Sequence, residues 1–260
     1  MECNFDKVYE DNYEKLYQLA YRLMGNREEA EDVLQEAFLN AYSSYSKFEN
    51  KSQVSTWLYR IVINCANKNM KKLKKLPVVD IAARFNMTKE EFFQNKLKSY
   101  ESVENEVMIN SMREQCLQVF LKCMPSKQRI AFVLKVFLGL PYEDVATIMG
   151  SSVGAAKNNV YRARLRMQEN MVDKCSYINP NYPCQCKNWV AYAIENNKMD
   201  MIPTIHTDKE IDYYALFKEE MNFLDKVAFL YDNCPGKMSY ESFIEKIKDM
   251  ISEKSLKILS

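Results

Sequence analysis

Apolar residues recur at helical spacing along this chain while turn-forming residues are scarce, and that pairing confines it to one fold class. Five Gly and seven Pro are spread through 260 residues, and β-branched runs are rare. Little material is left for hairpins and strands, so the reading is all-α. Between Tyr9 and Met24, Tyr13, Leu16, Tyr17, Ala20 and Leu23 share one helical face. Gly25 ends that helix, and Asn26-Arg27-Glu28-Glu29 has the form of a capping box that opens the next. The second helix puts Ala30, Val33, Leu34, Ala37, Phe38 and Ala41 on one stripe and shows Glu31, Asp32, Gln35, Glu36 and Asn40 on the other.

A polar stretch, 43–55, precedes a third helix bearing Trp57, Leu58, Ile61, Val62 and Cys65, which runs into a lysine cluster and stops at Pro77. Residues 78–110 carry no strong motif; with Thr88–Lys98 as the best helical stretch, they read as a linker. A second helical unit begins near Met112. Pro125-Ser126 opens a helix ended by Gly139, Pro141 starts a short one ended by Gly150, and Ser151 or Ser152 caps a longer basic helix reaching Met171. A short helix, a tight Gly turn and a longer basic helix are the parts of a helix-turn-helix, whose second helix enters the major groove. The expected organisation is therefore two small helical domains, 1–77 and 111–172, joined by a linker at 78–110 and followed by a mostly helical extension at 173–260.

The net charge of +1 conceals two basic patches. Lys47, Lys51, Arg60, Lys68, Lys71, Lys72, Lys74 and Lys75 face a single opposing Glu49, and Lys157, Arg162, Arg164 and Arg166 lie within one helix. Local patches on a neutral chain suit contact with a polyanion at defined places; either patch alone is equally consistent with a solvated helix face. One histidine, His206, leaves little for histidine acid–base chemistry, and neither a phosphate-cradling loop nor a nucleophile motif occurs. An enzyme is disfavoured. The acidic N-terminus has no secretory pattern, no apolar run matches a membrane span, and the eight Cys are scattered. A reduced, cytoplasmic protein without membrane insertion is expected.

Three constellations carry the chemistry. On the last helix, Lys157, Asn158, Tyr161, Arg162 and Arg164 share a face while Val160 and Leu165 point inward, so Asn and basic groups can reach base edges and phosphates. Trp57 and Tyr59, beside Arg60, Lys68, Lys71 and Lys72, suit stacking on unpaired bases, worth about 1–3 kcal/mol per base; Trp57 is equally suited to anchor a core. Asp32, Gln35 and Glu36 form a polar face that by itself is merely solvated.

Two stretches together resemble the RNA polymerase sigma factors of the sigma-70 family, specifically the extracytoplasmic-function (ECF) group. Residues 26–38, continued by Ser55-Thr56-Trp57-Leu58-Tyr59-Arg60-Ile61 and Asn64, look like region 2 of that family. Pro125, Arg129, Gly139, Tyr142-Glu143-Asp144-Val145-Ala146 and Tyr161-Arg162-Ala163-Arg164 look like region 4. The resemblance implies a sigma factor that binds core RNA polymerase and directs promoter recognition and DNA opening, with no cofactor required. Asp32, Gln35, Glu36 and Phe38 would dock on the β′ clamp helices. The loop 48–55, with Ile61 and Asn64, would hold a flipped base of the −10 element, and Trp57 and Tyr59 would sit where the strands part. The region 4 helix would read the −35 element and its domain would rest on the β flap. An anti-sigma factor would cover the polymerase-binding surfaces. Val54 where the family often has Phe, and Gly154-Ala155-Ala156-Lys157-Asn158-Asn159 in the recognition helix, depart from the usual pattern and bear on which promoter is read.

The extension adds Cys175, Cys184 and Cys186 around stiffening prolines at 180 and 183. Three close thiols point either to zinc, with His206 or Cys234 as a fourth ligand, or to a thiol switch, and idle cysteines fit as well. The tail is accordingly expected to be a small regulatory domain. Two rivals remain: a one-component DNA-binding regulator, which leaves the Asp32–Phe38 and Thr56–Tyr59 segments without a use, and a helical adaptor with no DNA role.

Overall fold

The computed structural model describes residues 5–48, 52–70, 76–100, 104–172, 174–179, 181–202 and 238–252. Its regular structure is helical, and among the described residues β pairing is limited to one isolated bridge, Cys175 to Cys184. The chain divides into two compact units, one of residues 1–69 with 236–260 and the other of residues 70–235.

The first unit holds α1 (Phe5–Met24), α2 (Arg27–Tyr45), α3 (Val54–Asn69) and the last described helix, here α11 (Tyr240–Ser252). Gly25, at φ 84°, takes the left-handed conformation that stops α1, and its N–H donates to the Tyr21 carbonyl at 2.7 Å. Asn26 then caps α2, its side chain accepting from the Glu29 N–H at 2.8 Å. Tyr9, Leu16, Leu19, Leu23, Leu34, Leu58 and Ala66 are buried at the centre. Phe5, Tyr9, Phe38, Tyr42 and Tyr45 form an aromatic cluster, with Phe5 between 5.1 and 5.8 Å from each of the other four.

In the second unit α6 (Glu106–Lys122), α7 (Ser126–Phe132), α8 (Tyr142–Met149) and α9 (Val153–Met171) form the expected helix-turn-helix. A single π turn, Val133–Phe137, extends α7 to the Gly139 turn. The segment expected as a linker is folded instead. Its helices α4 (Pro77–Arg84) and α5 (Lys89–Glu91, continued as a π turn to Lys96 and a 3-10 turn to Ser99) pack on α10 (Cys186–Glu195). Phe92, Phe93 and Leu97 are buried against Trp189, Val190 and Tyr192, and Asn188 Nδ2 donates to the carbonyls of Leu97 and Tyr100, both at 3.3 Å. Those three apolar residues sit among Lys89, Glu90, Glu91, Gln94, Asn95 and Lys96, so the stretch reads as polar until its distant partner is in place.

The tail is also not one element. Residues 174–202 build onto α6 and α9 in the second unit, with Tyr177 buried beside Leu117, Leu121, Met167 and Met171. The expected helix near 187–196 is α10; the one expected at 211–231 lies outside the described residues, as do His206 and Cys234. None of the described helices is long and apolar enough to cross a membrane.

Candidate polymerase and promoter interface

Helix α9, the longer helix of the helix-turn-helix, begins on well-defined geometry. Gly150, at φ 59° and ψ 42°, closes α8 in the left-handed region, where a side chain would be strained. Ser152 caps α9 by accepting from the Ala155 N–H at 3.1 Å. Ala156, Val160, Ala163 and Met167 fall on the inward face and are buried. Lys157, Asn158, Tyr161, Arg162 and Arg164 all reach solvent, Tyr161 at 59%. Leu165, expected inward, is exposed, because the narrow inward stripe is already completed by Ala163 and Met167. Two ties brace the helix: Arg166 Nε donates to Gln128 Oε1 at 3.0 Å, and Lys157 Nζ lies 5.6 Å from the centre of the Tyr142 ring. Below it, buried Arg129 donates to the Lys122 carbonyl at 3.1 Å, and burial lowers its pKa to about 10.

On α3 the expected residues separate. Trp57, Ile61, Asn64 and Lys68 recur at helical spacing along one accessible side, and Arg60 is exposed next to it. Trp57 is half-buried, its ring centre 4.9 Å from that of Phe48 and 6.2 Å from that of Tyr45. Tyr59 is 2% exposed, and burial raises its phenol pKa. It faces the bundle, two residues from Trp57 and hence on the other side of the helix, so it is a packing residue and not a stacking platform. Lys68 pairs with Glu36 on α2, and that partner raises the lysine pKa. Lys71 and Lys72 lie outside the described residues.

The four α2 residues also divide. Asp32 is exposed and Glu36 half-exposed, whereas Gln35 and Phe38 are 6% and 5% exposed. The helix that covers this side is α11, whose Phe243 ring lies 5.8 Å from Phe38, edge to face. No sequence signal near α2 announces that contact.

The thiols converge in the second unit, with one more than expected. Cys116 from α6 joins Cys175, Cys184 and Cys186 around an apolar cavity of about 250 Å³, also lined by Phe93 and Trp189. Trp189 Nε1 donates to Cys184 Sγ at 3.3 Å. Burial, with the neighbouring thiols adding to it, pushes the Cys184 pKa up to about 12 and raises those of Cys116 and Cys186 well above the usual range. Protonated thiols are poor nucleophiles and poor metal ligands. Among the described residues no three His, Cys, Asp or Glu side chains are grouped so as to hold a metal ion, so the zinc expected at Cys175, Cys184 and Cys186 has no formed site behind it.

The model of sigma-70 region 2 matches residues 8–75, and that of sigma-70 region 4 matches residues 114–167. The RNA polymerase sigma-H factor of Pseudomonas aeruginosa is 35% identical over 163 residues, spanning 62% of this chain and 82% of that protein. The chain belongs to the sigma-70 family, in its ECF group. The ECF sigma factor SigW of Bacillus subtilis is 30% identical over 64% of this chain and 86% of its own length. Among solved structures, the sigma factor RpoE of Bartonella quintana, crystallised with the anti-sigma factor NepR, is 23% identical with a TM-score of 0.43. That match covers 66% of this chain and 99% of RpoE. As a sigma factor this protein binds core RNA polymerase and directs promoter recognition in transcription initiation.

Proposed function

We propose that the two units divide promoter engagement between them. In the second, α9 reads the −35 element: Asn158 and Arg162 contact base edges, Lys157 and Arg164 hold phosphates, and Tyr161 packs on the groove wall. In the first, Asp32, Gln35, Glu36 and Phe38 dock on the β′ clamp helices. Trp57, Arg60, Asn64 and Lys68, with Lys71 and Lys72 beyond them, follow the −10 element and its opened strand; Tyr59 supports α3 from behind. The region 4 domain rests on the β flap, and an anti-sigma factor would compete for the same surfaces. On this reading the protein works in the cytoplasm with polymerase and catalyses nothing itself.

The observation that carries this reading is α9, a capped helix directly after a left-handed Gly turn with five DNA-suited side chains exposed in register. Transcription by purified core polymerase supplemented with this protein tests it. A defined start site that weakens with Arg162→Ala supports the reading; an unchanged promoter profile with Asn158→Ala and Arg162→Ala combined removes it. Zinc at the thiol cavity is the least supported part, because its four thiols would have to lose protons and regroup. Metal analysis of the purified chain decides that part: one zinc per chain establishes it, and none removes it.

A further inference from the structure

On α2, Glu31, Gln35 and Phe38 succeed one another at helical spacing, and α11 lies across that stripe. Phe243 is fully buried, its ring stacked on Tyr9 at 6.0 Å, tilted against Tyr13 at 5.0 Å and edge to face with Phe38 at 5.8 Å. Ile247, one turn on, is buried as well. Polar contacts hold both ends of the seat: the Tyr240 hydroxyl donates to the Asp6 carbonyl at 2.9 Å, and Lys246 Nζ pairs with Glu31 Oε2 at 3.4 Å. The rest of α11 shows Glu241, Glu245, Lys248 and Asp249 to solvent, so it is amphipathic and its one apolar face is spent here. The chain reaches this seat only after passing through the whole second unit, 70–235.

The fit leaves polar groups stranded. Gln35 Nε2 and the Tyr13 hydroxyl are buried with no hydrogen-bond partner among the described residues. A buried donor without an acceptor costs free energy that a native helix contact normally avoids. Glu31 is shared, since Arg27 already holds its other oxygen at 2.6 Å. An apolar anchor over an incompletely satisfied polar face suits a contact that is exchanged, since Gln35 regains a partner when something polar replaces α11.

We propose that α11 is a built-in cover of the polymerase-docking face, competing within the chain with the β′ clamp helices. This rests on the assignment of Asp32, Gln35, Glu36 and Phe38 to that docking. While α11 is seated, Gln35 and Phe38 are unavailable, and the affinity for core enzyme is reduced by the fraction of molecules in the covered state.

The test uses the full chain in three forms: wild type, Phe243→Ala, and Lys246→Glu, which sets a carboxylate against Glu31 from an exposed position and so spares the bundle. Affinity for core polymerase is measured with backbone hydrogen exchange of α11 in the free and bound states. Both variants should bind core at least about fivefold more tightly, and α11 of wild type should lose protection on binding. Equal or weaker binding by a folded Lys246→Glu chain, or α11 still protected in the complex, overturns the cover. Failure of the docking assignment shows separately: charge reversal at Asp32, which is exposed, would then leave core affinity unchanged in every form.

Discussion

The two faces proposed for binding are finished in opposite ways. On α9 the groups proposed to meet DNA are charged or amide side chains, and they stand open to water beside Tyr161. On α2 the face proposed to meet polymerase includes Phe38 and Gln35, both buried, and Phe243 lies edge to face on Phe38. The contrast follows from what water does to each. Exposed Lys and Arg are well solvated and need no cover, whereas burying an aromatic side chain is worth about 1.5–3 kcal/mol, so an apolar docking face attracts any amphipathic helix within reach. An electrostatic face can therefore wait uncovered, while an apolar one draws a cover from whatever amphipathic helix reaches it.

The sharpest way to break that comparison is to remove the aromatic hub. Phe38→Ala should destabilise the first unit by about 3–5 kcal/mol, read as a lower urea midpoint. Arg162→Ala on the open face should leave the midpoint in place and weaken promoter binding by about 1–3 kcal/mol. Equal stability losses in the two variants would erase the distinction between a packed face and an open one.

Alkaline pH sharpens a second contrast, between the basic helix and the thiol cavity. Because burial holds the thiols protonated, the folded chain resists ionisation that the unfolded chain undergoes near the ordinary thiol pKa, about 8.5. The stability they contribute is complete below that pH and is lost as pH climbs toward the Cys184 value of about 12. Denaturant midpoints followed by Trp189 fluorescence in a Trp57→Phe background should fall between pH 8.5 and 10.5, and fall less when Cys184→Ala is added. Alkylation of these thiols at pH 7.5 should be slow for the same reason, which counts against a rapid oxidation switch at this site.

Smaller effects separate phosphate holding from base reading. Lys157→Gln should lower the salt dependence of promoter binding by about one unit of slope, with little change in promoter choice. Smallest of all, Lys68→Ala breaks the exposed pair with Glu36 and should not move the thermal midpoint measurably, since such pairs are screened by solvent.

What the sequence made legible follows the range of the interactions involved. Helices α1 to α3 and the α8–α9 turn depend on local signals, Gly25, Asn26, Gly150 and Ser152, and each was readable in place. Val160 as a core residue was equally plain from spacing, although Leu165, only five positions on, lay beyond the narrow buried stripe. The segment 78–110 shows little in sequence because Phe92, Phe93 and Leu97 find their partners on α10, after the helix-turn-helix has intervened. Cys116 stands alone in sequence, and only the fold brings it to the tail cysteines. Tyr59 shows a different limit: an aromatic residue two positions from Trp57 has the same chemistry, and only the direction it points separates packing from stacking. The cover over Phe38 is the longest-range case, since residues from opposite ends of the chain meet there.

The most direct test of the central claim is run-off transcription by purified core polymerase and this protein on a pool of promoter variants, read as start-site counts. The account predicts initiation at one defined position, dependent on the −35 sequence, and lost when Asn158→Ala and Arg162→Ala are combined in a folded chain. Initiation insensitive to that double substitution, or none at all from any promoter even with the α11 cover weakened by Lys246→Glu, would contradict it.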